Sequence, residues 1–594
     1  MIDRTTKLRW RRRFRRSKKQ VEELGVQAEV GLEKHFFRRL SRLTRVRRFI
    51  AAWVFLFILT IGGVLLQTRA LGESYLTSQP AAGGIFTEGI LGTFTNANPI
   101  YASNSVDNSV TKLVFASLFK FDQNNQLSGD LAESLSVDAR ETTYTVKLKP
   151  NLKWHDGRSL TSDDVVYTYA MIQNPDAKSP LAASWQGIVV KAVDPLTVTF
   201  KLPSVLGSFP LSMTNGILPQ HLLAGLPPGQ LRSSVFNTGR PVGAGPFKVE
   251  AVEVTGINPE EREERIALVP NDDYHGKKPQ LDRVIIRTFR EEEKMVEALK
   301  KGELTAAAGL SIMPESLEKD ISYRDYNIPL TSGVYVFLRN SNDVLSNQKV
   351  RKALAYGTNT NELLRSIGRP VLPLKSPLLS TQVGYDRSVV QTTGNIAEAQ
   401  KLLDEAGWKL GPKGVRQNTQ GQPLSFSLVS LRNSTYDYVT QSIKQQWQQL
   451  GVELNVTLQD EQELQTSLAF HNFDSLLYGI ALGPDPDVFP YWHSSQADIR
   501  SANRLNFSEY KSNTADKSLE AGRTRNDATL RAIKYKPFLE AWRDDAPAIA
   551  LYQPRYLYVT RGPIYNFSPV ALNSASDRFN NVENWQIRLE QQPM

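Results

Sequence analysis

The stretch from Trp154 to Tyr169, WHDGRSLTSDDVVYTY, decides the fold because it joins three local signals in one order. Before it, residues 142–150 alternate in polarity like a half-buried strand. Gly157 supplies the backbone freedom of a turn, and Thr161 with Asp164 three residues later is typical of a capping box. The stretch therefore predicts a strand, a turn and a capped helix, although by itself it also fits an ordinary β-turn-α unit.

Seven further motifs follow one another along the chain on both sides of this stretch. They are GTFTNANP at 92–99, SGDLAESL at 128–135, PVGAGPF at 241–247, PNDDYHGKKPQLD at 270–282, VRKALAY at 350–356, AEAQKLLDEAGW at 397–408 and APAIALY at 546–552. In wording and order, the motifs resemble the extracellular solute-binding proteins of family 5, which serve peptide-type ABC importers. The resemblance covers roughly residues 84–562, and Asp130 and Leu135 depart from the second motif.

The resemblance implies an α/β fold of the type II periplasmic-binding-protein class, with two lobes joined by hinge strands. A ligand would lie between the lobes, and their closure around it is a hinge motion that the importer would recognise. By the same resemblance, the first lobe is expected at 84–110, 236–325 and 555–594, its inserted subdomain at 111–235, and the second lobe at 326–554.

Most motif residues indicate scaffold rather than ligand site. Gly243 and Gly245 suit a tight bend at which backbones approach closely. Val350, Leu354 and Leu402 are predicted on the core faces of helices. Trp154 and Trp408 are interpreted as packing residues, with ligand stacking as the alternative.

The ligand cleft is predicted mainly from residues 473–487, FDSLLYGIALGPDPD, which resemble the family's cleft strand and loop. Ile480 replaces the family's Trp at this place. Leu482 or Gly483 replaces the Asp that caps the peptide amino terminus in oligopeptide binders. Asp485 or Asp487 would be the substitute, or these residues would cap a helix that begins near residue 488. The resemblance therefore implies a peptide ligand, with a nickel chelate, a sugar or haem, which family members also carry, as the alternatives.

The resemblance also gives a set of candidate ligand contacts from both lobes. They are Thr93, Phe94, Thr95, Tyr335, Tyr478, Ile480, Ala481, Leu482, Asp485, Asp487, Trp492 and Tyr552.

An uncharged run at 49–68 predicts a single transmembrane helix, because 20 residues at 1.5 Å each span about 30 Å. Arginines abut its N-terminal end and only Arg69 lies near the other, so the N terminus is expected in the cytoplasm and the body outside. A cleaved signal peptide is the alternative, but the basic region and the apolar run are both long for one. Residues 69–83 are expected to form a short stalk.

The basic charge is concentrated in an N-terminal arm. Residues 1–48 contain 17 Lys or Arg and 5 Asp or Glu, so the net charge of +10 leaves the remaining body near neutral. We expect this arm to bind the cytoplasmic membrane surface rather than nucleic acid. Residues 21–48 fit an amphipathic helix on that surface, or a solvated or partner-binding helix.

The sequence lacks the motifs of catalysis. It contains no phosphate loop, HExxH or GxSxG, and Gly243 and Gly245 lack the third glycine of a dinucleotide fingerprint. Six histidines and no cysteine argue against a metal site, although His471 with Asp474 is a weak candidate. His155 and Asp156 are interpreted as turn residues bonded to backbone. We therefore predict no cofactor, no metal and no enzymatic activity, and partner subunits must supply the permease and its ATPase.

Two other classes remain open at this point. The chain would be a surface sensor that keeps the fold and signals through its arm, or a hydrolase with an unrecognised site.

Apolar spacing predicts helices at 291–301, 347–355, 395–406, 436–450 and 527–544, and alternation predicts strands at 196–202, 265–269, 283–288, 424–429 and 453–458.

Overall fold

The computed structural model describes residues 47–74, 76–256, 258, 262–501 and 504–593, together with seven scattered residues between 17 and 30. The chain divides into two units. One contains the residues up to Gln79 with those from Leu589 onward, and the other contains Pro80–Arg588.

In the larger unit, a sheet of seven strands forms what we call the first lobe. Its central strand is Ile85–Leu91, which pairs in parallel with the strands on either side, while the remaining pairs are antiparallel. In spatial order the strands are Tyr323–Pro329, Arg555–Arg561, Ala306–Ala308, Ile85–Leu91, Arg283–Phe289, Glu263–Pro270 and Phe247–Thr255.

A mixed sheet of six strands forms the second lobe. Apolar side chains cover both of its faces, with one cluster around Trp447 and another around Trp492 and Trp542. In spatial order the strands are Leu372–Pro373, Ala548–Gln553, Ser332–Leu338, Ser475–Ala481, Ser425–Leu431 and Glu453–Gln459.

A four-stranded antiparallel sheet forms the inserted subdomain, with its strands in the order Ala132–Val137, Thr143–Leu148, Thr197–Lys201 and Val189–Asp194. The predicted strand, turn and capped helix all occur here. Gly157 has φ of 86°, and Thr161 and Asp164 form a capping box at the start of the helix Ser162–Gln173. The local prediction from WHDG is confirmed.

Helices cover the sheets, and the predicted ones are confirmed to within two residues at each end. The five predicted strands are also present. The helices of the larger unit are Ser105–Val114, Ser162–Gln173, Phe209–Ser212, Gln220–Leu223, Pro228–Leu231, Glu292–Lys301, Glu315–Glu318, Gln348–Gly357, Thr360–Ser366, Ile396–Glu405, Ser434–Gln448, Glu461–Phe470, Phe489–Trp492, Asn513–Arg523 and Ala528–Asp545. Short two-stranded sheets join Phe119–Phe121 to Leu127–Gly129 and Lys409–Leu410 to Arg416–Gln417.

The chain crosses between the lobes twice in adjacent strands, through Leu330 and Thr331 and again through Pro554. Arg555 lies opposite Pro329 in the first lobe, and Ser332 lies opposite Ala481 in the second. In the first lobe Ile85–Leu91 runs parallel to Ala306–Ala308, and in the second lobe Ser475–Ala481 runs parallel to Ser425–Leu431. Parallel strands end at the same edge of a sheet, and in both lobes this is the edge from which the crossings lead to the other lobe. The loops that follow those strands therefore border the gap between the lobes. The domain bounds predicted above stay predictions.

The smaller unit contains the helix Arg47–Ser74, whose apolar stretch Arg47–Arg69 is long enough to span a membrane. The segment predicted as a stalk contains the end of this helix and the strand Leu76–Ala81, which pairs with Arg588–Pro593. Most of the basic arm and of the expected amphipathic helix at 21–48 lies outside the described residues.

Candidate functional site

Residues 481–487, which we call the cleft loop, follow the second-lobe strand Ser475–Ala481 at the edge that borders the gap. The backbone N–H groups of Leu482 and Gly483 both donate to the Thr331 carbonyl, at 2.9 Å. Thr331 lies in one of the two crossings between the lobes. The cleft loop is therefore attached directly to the hinge.

Gln382 fixes the cleft loop from the other side. Its Nε2 donates to the carbonyl oxygens of Leu482, Gly483 and Asp485 at 3.3, 3.0 and 2.8 Å. Its Oε1 accepts from the N–H of Leu379 at 2.8 Å, so the amide orientation follows from its partners. One buried glutamine thus binds three carbonyl groups of the loop.

Both carboxylates of the cleft loop are bound to arginines. Asp485 accepts from two nitrogens of Arg531, each at 2.6 Å, and Asp487 accepts from Arg523 at 3.2 Å. Burial raises the pKa of Asp487, and Arg523 partly offsets this effect. The alternative prediction, that these residues cap the following helix, is wrong. The N-cap of Phe489–Trp492 is Val488, which has no side-chain oxygen to accept the capping bond.

The first-lobe loop at 92–96 contains three candidate residues, and two carboxylates hold it in place. Asp107 accepts from the N–H and hydroxyl of Thr95, at 2.7 and 2.5 Å. Glu264 accepts from the Phe94 N–H at 3.5 Å and forms an ion pair with Arg262 at 2.7 Å. Phe94 is 6% exposed and lines a cavity of 590 Å³, while Thr95 is exposed.

Several aromatic and aliphatic candidates lie in the second-lobe core. Tyr335 and Trp492 are fully buried, with their ring centroids 6.0 Å apart, and the Tyr335 hydroxyl donates to the Ser376 carbonyl. Ile480 and Leu482 are nearly buried in the same cluster. In this conformation these four side chains are not available to a ligand, so we leave them out of the site proposed below.

The remaining second-lobe candidates differ in exposure. Tyr478 is half-buried and Ala481 is exposed at the end of its strand. Tyr552 is buried against the opposite face of the sheet, where burial raises its pKa to about 12 and the Arg369 cation partly offsets the rise. Tyr436, from the helix Ser434–Gln448, approaches Gly479 at this place.

A cavity of 370 Å³ lies between the two lobes and is lined from both sides. Met313, Asp325 and Arg555 line it from the first lobe, and Arg369 and Pro370 from the second. The Nε atoms of both arginines are buried and have no hydrogen-bond partner among the described residues. The sequence reasoning missed Arg369 and Arg555, because neither lies in a motif that signals a site.

The inserted subdomain touches the second lobe across the gap. The N–H of Gly207 donates to the Arg523 carbonyl at 2.8 Å, and the Ser208 hydroxyl donates to Asp487 at 3.1 Å. Beside this contact lies another cavity, separate from the two described above. It has a volume of 590 Å³ and is lined by Ser184 from the subdomain and by Phe489 from the second lobe. The subdomain therefore closes one side of the gap.

No group of three or more His, Cys, Asp or Glu residues suited to a metal ion occurs in the described part of the chain. His471, the weak candidate, forms hydrogen bonds to Glu509 and to the Arg504 carbonyl at 3.1 and 2.9 Å. Both ring nitrogens are therefore occupied by structural partners.

Residues 126–501, more than half of the chain, match the model of the bacterial extracellular solute-binding proteins, family 5 Middle. The chain belongs to this family. The family resemblance and the two-lobed type II fold predicted from the motifs are thereby confirmed.

A curated relative agrees with this assignment, and two solved structures share the fold. The family-5 chain is 27% identical to the oligopeptide-binding protein AppA of Bacillus subtilis over 488 residues, which cover 80% of this chain and 87% of AppA. The structure of AppA in complex with a nonapeptide has a TM-score of 0.69 at 24% identity, over 86% of this chain and 100% of AppA. The structure of NikZ of Campylobacter jejuni in complex with Ni(L-His) has a TM-score of 0.71 at 23% identity, over 85% of this chain and 99% of NikZ.

The family motifs contact one another within the scaffold. The Gly243 N–H donates to Nδ1 of His155 at 3.2 Å, so the proton lies on Nε2, which donates to the Gly245 carbonyl at 3.0 Å. Burial lowers the pKa of His155 to about 4. A Cβ at Gly245 would lie 2.6 Å from the Val114 backbone, which explains the glycine. Trp154 and Trp408 are buried, as predicted.

Proposed function

We propose that this family-5 protein is a membrane-anchored receptor that captures peptides between its lobes and delivers them to an ABC permease. The observation that carries the proposal is the family match over 126–501 in a fold whose two lobes enclose a cavity beside the hinge. The relatives named for peptides support the class of ligand. The protein binds its ligand without chemical change, and partner subunits supply the ATPase.

Closure would position the ligand between the cleft loop, the first-lobe loop at 92–96 and the cavity beside Arg369. Gly479, Tyr478 and Ala481 provide the open part of the second-lobe edge, and Thr93 and Thr95 provide the first-lobe part. An extended peptide forms main-chain hydrogen bonds in such a gap, and its side chains then occupy the neighbouring cavities.

The apolar stretch Arg47–Arg69 would retain the receptor at the cytoplasmic membrane, with the body outside the cell. Retention is tested by fractionating cells that express the chain with a C-terminal tag. We expect the tagged protein in the membrane fraction at the mass of the full chain. A shorter soluble form would show cleavage and contradict the anchor.

Ligand capture is tested on the full chain in detergent micelles against synthetic peptides of two to nine residues. A peptide at 100 times its Kd should add about 2.7 kcal/mol to the free energy of unfolding. Mass spectrometry of the same samples should recover every peptide intact. Absence of stabilisation by any peptide would contradict the peptide ligand, and peptide fragments would indicate a hydrolase.

A matched pair of variants tests where the ligand lies. Arg369→Met removes the second-lobe cation from the interlobe cavity, so we expect peptide affinity to fall about tenfold, as for a lost charge-assisted hydrogen bond. Arg387→Met removes an exposed cation of the same lobe and should leave affinity unchanged. Equal affinities for the two variants would contradict this placement.

A further inference from the structure

The interlobe cavity of 370 Å³ carries groups of both charges on its walls. Arg369 lines it from the second lobe. Arg555, Asp325 and Glu318 line it from the first lobe. None of these four side chains forms an ion pair with another described residue. A ligand that enters the cavity therefore meets two cations and two carboxylates that have no opposite charge bound to them.

The two arginines lie at the end of the cavity next to the hinge. Arg555 directly follows the crossing at Pro554. The short strand that begins three positions after Arg369 pairs with the residues just before Pro554. The Nε atoms of both arginines are buried without a hydrogen-bond partner among the described residues. A guanidinium group binds a carboxylate through two parallel hydrogen bonds, so this end of the cavity suits a carboxylate.

The acid Asp325 lies farther from the hinge. On its strand, Pro329 is opposite Arg555 and is four positions from Asp325. At about 3.3 Å per residue in a strand, the levels of Arg555 and Asp325 are about 13 Å apart. The Asp325 carboxylate accepts from a neutral group, the Asn327 amide, at 2.7 Å. Glu318 comes five positions before this strand begins, at its end away from the hinge, and both acids are exposed. This end of the cavity therefore suits a cation.

Apolar side chains lie between the two ends. Leu557 is opposite Asn327, halfway along the strands between the arginine end and the acidic end. Ile312 and Met313 line the same cavity. Surface of this kind covers the methylenes of a long side chain while its charged head stays in polar surroundings. Ligand pockets of about 300–1,000 Å³ enclose small molecules, so a cavity of 370 Å³ fits the end of a peptide and not its whole length.

We infer that the interlobe cavity binds the C-terminal residue of the peptide and prefers lysine or arginine there. The C-terminal carboxylate binds Arg369 and Arg555. The methylenes of the last side chain lie against Leu557, and its cation binds Asp325 and Glu318. Lysine matches this order of groups, because a four-carbon stem separates its ammonium from the α-carbon that bears the carboxylate. The inference rests on the proposed function, since it specifies one end of the peptide captured in the same gap.

The same placement couples the end of the peptide to closure. Arg369 and Arg555 belong to different lobes, so a carboxylate can bind both only while the lobes are together. A ligand shifts a conformational equilibrium toward the state for which it has the higher affinity. The C-terminal carboxylate therefore stabilises the closed arrangement.

The inference is tested with four peptides that share one internal sequence, by calorimetry on the full chain in detergent micelles. They end in lysine or in norleucine, which lacks the ammonium, each as the free acid or as the amide. We expect the lysine acid to bind about tenfold more tightly than the lysine amide and than the norleucine acid, as for one charge-assisted hydrogen bond. Equal Kd values for all four would overturn the inference and leave peptide capture intact. Absence of binding by all four would contradict the peptide function, and the inference with it.

A fifth peptide tests which end of the ligand enters the cavity. It carries an N-terminal glutamate and an amidated C terminus, so it presents a carboxylate and an ammonium on one residue in the reverse sense. We expect it to bind about tenfold more weakly than the lysine acid. An equal or lower Kd for this peptide would overturn the assignment of the C terminus.

Variants of the chain show which wall binds which charge. Arg369→Met should reduce the preference for the acid over the amide to less than threefold and keep the preference for lysine over norleucine. The double variant Asp325→Asn with Glu318→Gln should do the reverse. Arg387→Met and Glu315→Gln are the matched controls, because these exposed residues lie outside the cavity lining and should keep both preferences. Both preferences unchanged in Arg369→Met and in the double variant would overturn the inference.

Discussion

Asp485 and Arg531 form a two-point ion pair in which both N–O distances are 2.6 Å. The Arg531 side chain is 7% exposed and that of Asp485 15%. Arg531 lies on the long helix Ala528–Asp545, so the pair fastens the cleft loop to the helical layer of the second lobe. Each partner in such a buried pair depends on the other, because an unpaired buried charge is costly.

Loss of Arg531 should therefore destabilise the second lobe. We expect Arg531→Met to lower the free energy of unfolding by about 3 kcal/mol, measured by urea denaturation with tryptophan fluorescence. Arg500→Met is the control, because Arg500 is 86% exposed in its pair with Asp498 and surface pairs contribute at most about 1 kcal/mol. Similar losses in the two variants would contradict the role of burial.

The contact at Gly207 should affect affinity through closure. A Cβ at Gly207 would collide with the Arg525 carbonyl of the second lobe, so Gly207→Ala penalises the closed arrangement. We expect peptide affinity to fall about tenfold by calorimetry, because only the closed fraction holds the ligand. Gly225→Ala, where a Cβ meets open space, should bind normally. Unchanged affinity in Gly207→Ala would show that the contact does not limit closure.

His155 should make stability depend on pH between about 6.5 and 4. Its pKa in the folded protein is about 4, mainly because of burial, and the unfolded chain has the ordinary value near 6.5. The unfolded state therefore binds more protons in this range, and stability is lost as the pH falls. We expect a loss of about 3 kcal/mol, measured as urea midpoints from pH 7 to 4. His155→Gln should flatten this slope.

Glu509 should give a second loss of stability at lower pH. The hydrogen bond from His471 lowers the Glu509 pKa to about 2, and the Ser341 hydroxyl assists while partial burial opposes. Its stabilisation is therefore present above about 4.5 and is lost as the pH falls toward 2. Glu509→Gln should reduce the pH dependence of the melting temperature in that window. Glu315→Gln, at an 86% exposed side chain, should leave the dependence unchanged.

Local signals in the sequence predicted the scaffold well. The capping box at Thr161 and Asp164 and the close approach at Gly245 each depend on a few neighbouring residues or on the absence of a side chain. Long helices such as Ser434–Gln448 were predicted because their apolar spacing repeats over several turns.

The occupation of the cleft-loop carboxylates was not predictable in the same way. Arg531 lies 46 positions from Asp485, and Arg523 lies 36 positions from Asp487, so their pairing depends on how a later helix packs. The burial of Tyr335 also escaped the sequence, because Tyr335 lies in a strand of a sheet that is covered on both faces, and such a strand has no exposed side in its pattern. The ligand contacts that the motifs suggested stay predictions.

The bridge from His155 to Gly243 and Gly245 has a consequence for how such receptors diversify. Two of the motifs that mark the family are held together there through one imidazole ring. A change of the residues near 481–487 would leave this bridge intact, because neither of its hydrogen bonds involves that loop. Two proteins that share both motifs therefore share this part of the scaffold, and the motifs by themselves do not indicate which ligand either protein binds.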